Sequence, residues 1–150
     1  MINKKTKKLS FRNISIGQEV TSEHALQKLC VKRLRYHNFL CFCTDVFNGI
    51  SFLKDIRSKS VYKQHMIAMG ASVGCPDLII LRKGKVTFVE FKFAKGKKSP
   101  EQIAQCKILE SLGYEVLEWR TEQDCIDWIV KEIDFNKKKN NEVAENSTAE

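Results

Sequence analysis

The chain has 150 residues, 43% of them hydrophobic and 29% charged, with a net charge of +8. This length fits one domain around a single buried core, and the balance of residues is that of a soluble globular protein. No window approaches about 18 uncharged apolar residues, so neither a membrane-spanning helix nor a membrane partner is expected. The lysine-bearing N-terminus lacks the apolar run of a signal peptide, and the expected location is the cytoplasm, or the host cell for a viral protein. The positive excess favours a polyanionic partner.

Residues 1–20 read as a flexible basic arm, with Lys4, Lys5, Lys7, Lys8 and Arg12 and no acid before Glu19. The fold is expected between 21 and 135. Thr21 or Ser22 caps a first helix, in which Leu26, Cys30 and Leu34 form an apolar stripe beside Ala25 and Leu29. An aromatic-rich strand, NFLCFCTDVF, follows. Asn48-Gly49 is a hairpin signal, with ISFLKDI as the returning strand. KSVYKQHMIAM is a second helix ended by Gly70, with His65 facing inward as a packing residue.

A strand over 77–81, a turn over 82–85 and a strand over 86–93 come next. Ser99, Pro100 and Gln102 then spell a capping box with proline at the first helical position. Ile103, Cys106, Leu109 and Leu112 line that third helix, and Gly113 closes it. YEVLEWR is a strand. TEQDCIDWIVKEI is a last helix with Cys125, Ile126, Ile129, Val130 and Ile133 facing in. Residues 136–150, NKKKNNEVAENSTAE, are expected to be a disordered polar tail. The fold class is α/β, a mixed central sheet flanked by helices. Six cysteines without a C-x-x-C pair read as reduced, packed thiols rather than a zinc site.

The hairpin GCPDLIILRKGKVTFVEFK is mostly apolar yet carries Asp77, Glu90 and Lys92. A turn centred on Lys83-Gly84 sets Leu81 against Val86, Ile79 against Phe88 and Asp77 against Glu90. Opposed carboxylates about 5 Å apart destabilise a sheet, more so when half buried. A divalent cation reverses that sign, because hard cations prefer carboxylate oxygens. Lys92 lies two residues after Glu90 and leaves the same sheet face. It could neutralise the pair, or hold a water or phosphate oxygen. This is equipment for metal-assisted phosphodiester hydrolysis. A plain cross-strand salt bridge is the structural alternative.

Gly74-x-Pro76-Asp77 followed by Glu90-x-Lys92, then SPEQ opening a helix and LGYEVLEW, resembles the VRR-NUC domains, the virus-type replication and repair nucleases of the PD-(D/E)xK superfamily. The resemblance covers roughly residues 21–120. It implies a restriction-endonuclease-like core. It implies Mg²⁺ or Mn²⁺ held by Asp77, Glu90 and the Phe91 carbonyl, with a catalytic role for Lys92. Glu23, on the first helix, is the candidate for the family's further metal-binding glutamate. A glutamate in a first helical turn also simply favours the helix dipole. Gln102 matches the family's glutamine, and could serve the capping box as well. Lys95, Lys97, Lys98 and Ser99 are candidates to grip the nucleic-acid backbone, and Arg57 a further contact. The implied activity is a DNA nuclease, acting on branched or four-way junction DNA as a homodimer. A binding module that has kept the fold and lost the chemistry is the rival.

Overall fold

The computed structural model describes residues 20–44 and 53–146. Their order is α1 (Glu23–Tyr36), β1 (Leu40–Cys43), α2 (Ile56–Ala68), β2 (Leu78–Arg82), β3 (Lys85–Phe91), α3 (Pro100–Ser111), β4 (Glu115–Trp119) and α4 (Glu122–Asn146). The strands form one sheet in the order β1-β2-β3-β4. β1, β2 and β3 pair antiparallel, and β4 joins β3 in parallel. The chain is therefore an α/β protein with a four-stranded mixed sheet flanked by helices.

The β2–β3 register is the expected one. Ile79 pairs with Phe88, Leu81 with Val86 and Arg82 with Lys85, which leaves Lys83-Gly84 as the turn. Gly84 takes a φ of +73°, in the left-handed region that glycine enters without strain. β3 carries the most packing, with every residue from Thr87 to Phe91 buried. Alternation along the strands sends Leu78, Ile80, Val89, Phe91 and Trp119 to one face, against Leu26, Cys30 and Leu34 of α1 and Cys125, Trp128 and Ile129 of α4. Burying each such leucine contributes about 1.5–3 kcal/mol. α3 covers the other face with Cys106 and Leu109, and its ends Ile103 and Leu112 stay exposed. On α4, Trp128 is buried, whereas Val130 of the expected stripe is exposed.

Three expectations change. The Asn48-Gly49 turn falls outside the described residues, and the end of its returning strand is no strand. Asp55 instead caps α2, its carboxylate accepting the Ser58 amide at 2.7 Å and hydroxyl at 2.6 Å. His65 does not pack inward. α2 buries no residue, because its apolar side chains are spread around the helix rather than aligned. The tail expected to be disordered from 136 is helical through Asn146, since nothing from 136 to 146 is a glycine or proline that would stop α4. The basic arm lies, but for Val20, outside the described residues. Among the described residues no helix is long and apolar enough to cross a membrane.

Candidate active site

The site sits where the open end of the β2–β3 hairpin meets the first turn of α3. The last ladder pair is Leu78 with Val89, so one further step puts Asp77 opposite Glu90 on the α3 face. Asp77 precedes β2 and is tied down by both its ends. Its carbonyl accepts from the Thr44 amide at 3.0 Å and from Gln27 Nε2 at 3.3 Å. Its Oδ2 accepts from the Phe91 amide at 2.7 Å. The Thr44 hydroxyl donates to the Pro76 carbonyl, which fixes the residue before it.

Gly74 explains how α3 reaches this point. Its φ is +80°, and a Cβ there would stand 2.5 Å from the Glu101 carbonyl carbon and 2.7 Å from the Gln102 nitrogen. Only a bare backbone lets the segment leading to Asp77 lie against the start of α3. That start is the predicted capping box. Gln102 N–H donates to Ser99 Oγ at 3.2 Å, and Ser99 N–H to Gln102 Oε1 at 2.9 Å. The other end of the same amide, Nε2, donates to Glu90 Oε1 at 2.5 Å. Gln102 thus closes the capping box and holds Glu90 with one and the same amide.

Glu90 is wholly buried. Its Oε1 also accepts from Lys92 Nζ at 2.5 Å. Its Oε2 is buried with no hydrogen-bond partner among the described residues. Burial pushes its carboxyl up to about 6, and the Asp77 charge adds to the rise against the opposing pull of Lys92 and Lys98. Burial would lower Lys92, but its hydrogen bond to Glu90 and the charges of Glu90, Glu23 and Asp77 outweigh it and hold the ammonium above its usual value.

Glu23 joins from α1. Its Oε1 accepts the Phe93 amide at 3.3 Å, and its Oε2 lies 3.9 Å from Lys92 Nζ. It reaches the site by way of Lys92. Among the described residues no three His, Cys, Asp or Glu side chains form a ready metal cage. A cleft of about 240 Å³ opens beside Asp77, lined also by Thr44, Ser72, Cys75, Ser99 and Gln102.

The expected backbone grips divide. Lys95 and Lys97 are exposed in the loop after β3, and Ser99 is the N-cap of α3. Lys98 is drawn to Glu118 at 3.4 Å. Arg57 stands in the first turn of α2, beside Leu53, Val61 and His65, and not with the site residues. Sequence reasoning missed Glu118 and Arg120. Glu118 pairs with Glu90 across the β3–β4 ladder and holds both Lys98 and Arg120. The Arg120 guanidinium donates to the carbonyls of Ala94 and Gly96, each at 3.1 Å. It thus secures a loop in which Ala94 adopts φ +49°. The only available signal was the alternation of Glu118 and Arg120 in YEVLEWR, which lacks meaning until β4 has a neighbour.

No protein-family model matches the chain, and no curated protein is significantly similar to it.

Proposed function

We propose that the chain is a metal-dependent nuclease of the PD-(D/E)xK type, with a restriction-endonuclease-like core, that hydrolyses phosphodiester bonds of DNA. One observation carries the reading. A fully buried carboxylate, Glu90, faces a second carboxylate and keeps one oxygen without a hydrogen-bond partner among the described residues. A divalent cation would engage that oxygen and offset the repulsion between the two acids. The donor set suits a hard cation, so Asp77 and Glu90 would hold Mg²⁺ or Mn²⁺, aided by the Phe91 carbonyl, with Glu23 at the periphery. When bound, the cation supplies Lewis acidity.

The chain's own residues do the rest. Gln102 fixes Glu90 by holding Oε1. Lys92 stays charged between Glu90 and Glu23, where its ammonium can orient a water and steady negative charge developing on the phosphate. Lys95 and Lys97, with Ser99 and the start of α3, border the site and suit backbone phosphates. Branched DNA, such as a four-way junction, is the proposed substrate, and two copies of the chain would cut its two strands.

The test is cleavage of a labelled four-way junction, a flap and a plain duplex, each with Mg²⁺, Mn²⁺ or EDTA, beside Glu90→Ala. Metal-dependent cutting is expected, reduced by about 10²-fold or more in the variant. Binding of all three without cutting under either metal would replace the nuclease with a nucleic-acid-binding module.

A further inference from the structure

α1 carries a second feature on its outer side. His24, Lys28, Lys32 and Arg35 follow at intervals of four, four and three, so they share one exposed stripe, away from the buried Leu26, Cys30 and Leu34. With Gln27, Val31 and Cys43 they line a groove of about 540 Å³ between the helix and strand β1, and among the described residues no acid lines it. Arg33, Arg82, Lys85, Lys92, Lys98 and Arg120 are each ion-paired. Among the described residues Lys28 and Lys32 have no such partner. Arg35 faces the thiol of Cys41.

The groove also runs into the candidate site. Gln27, on its wall, donates both to Cys43 Sγ at 3.6 Å and to the Asp77 carbonyl at 3.3 Å. Glu23, one residue before His24, reaches Phe93 and Lys92. From His24 to Arg35 the helix rises about 16 Å, the axial length over which one strand of a duplex carries roughly five phosphates.

We propose that this groove is a second DNA contact, a track for the sugar-phosphate backbone of one strand leading away from the Asp77–Glu90 site. It rests on the nuclease reading for its polarity, with the scissile phosphate at the Gln27 end. Phosphate contacts set the position of a strand without reading its sequence, which suits a lysine and arginine stripe.

The experiment measures binding of a labelled four-way junction in EDTA across a salt series, and cleavage with Mg²⁺ at saturating DNA. It compares the wild type with Lys28→Gln/Lys32→Gln/Arg35→Gln. A second triple variant, Lys63→Gln/Lys107→Gln/Lys131→Gln, removes the same charge from exposed positions elsewhere. The groove variant should bind about tenfold or more weakly, with a salt slope shallower by about 2–3, since each lost phosphate contact removes about 0.9. Equal affinity and slope in the groove variant, or an equal loss in the charge-matched control, would overturn the proposal. Glu90→Ala separates the two readings. If neither it nor the wild type cuts, while the groove variant still loses binding, the track stands and the nuclease reading falls.

Discussion

The β2–β3 hairpin carries a charge cluster at each end, on opposite faces of the sheet, and the two are built differently. At the turn, Arg82 is ion-paired with Glu132, and Lys85 lies 2.9 Å from Glu115 and 3.6 Å from Glu132. Glu115 also accepts from the Thr87 hydroxyl at 2.7 Å, and Arg82 lies over the Trp128 ring at 5.1 Å. Two cations meet two acids. At the open end, Asp77, Glu90 and Glu23 gather around Lys92, with Lys98 drawn off to Glu118. There the acids outnumber the central cation; among the described residues Glu90 Oε2 lacks a hydrogen-bond partner, as do Nε and Nη2 of Arg82 at the turn, so the two ends differ in charge balance and not in hydrogen-bond satisfaction. Buried ion pairs that balance can be spectators of folding. A buried imbalance burdens the fold, and the proposed cation would relieve it.

That contrast breaks most visibly at the balanced end. Glu132→Gln leaves Arg82 charged beside Trp128 without its acid, and should destabilise the protein by about 3–5 kcal/mol. Denaturant unfolding measures this, and cleavage per folded molecule should be unaffected. Loss of cleavage with stability intact would make the turn cluster part of the site.

Gly74→Ala comes next. Its methyl would meet backbone of Glu101 and Gln102 at a φ of +80°, a strain of about 1–3 kcal/mol. The start of α3 must shift, so Gln102 leaves Glu90, and cleavage should fall further than the stability loss alone explains. Matched losses in both would mean that Gln102 does not orient Glu90.

The smallest effect separates the ends by pH. Glu90 rises from 4.5 to about 6 on folding, so folding favours its neutral form. Its contribution is fully present below pH 4.5 and is lost as pH rises through 6, a change of up to about 2 kcal/mol at about 1.4 kcal/mol per unit. In EDTA, the stability of the wild type relative to Glu90→Gln should fall over that window. Saturating Mg²⁺ should flatten the difference. A flat difference already in EDTA would mean that Glu90 ionises without penalty.

Much of this was legible in the sequence because it is local. The Lys83-Gly84 turn alone sets which residues face each other, so Asp77 opposite Glu90 could be read from counting. SPEQ announces its own capping box, and Leu26, Cys30 and Leu34 announce the buried side of α1. The misses are long-range or depend on alignment. Glu118 acquires its role only once β4 lies parallel to β3. His65 is exposed because the apolar residues of α2 do not share one side, so the helix has no inward face to carry it. The groove along α1 is not legible in the sequence because its opposite wall comes from β1.

The side-chain amide of Gln102 has a consequence beyond holding Glu90. Its oxygen is engaged by the Ser99 amide and its nitrogen by the Glu90 carboxylate. Winding of the first turn of α3 and order at the site are thus one event. A molecule whose helix frays by a single turn loses the Gln102 hold on Glu90 in the same motion, leaving Lys92 alone on that oxygen, so the opening of one capping box is felt at the carboxylate.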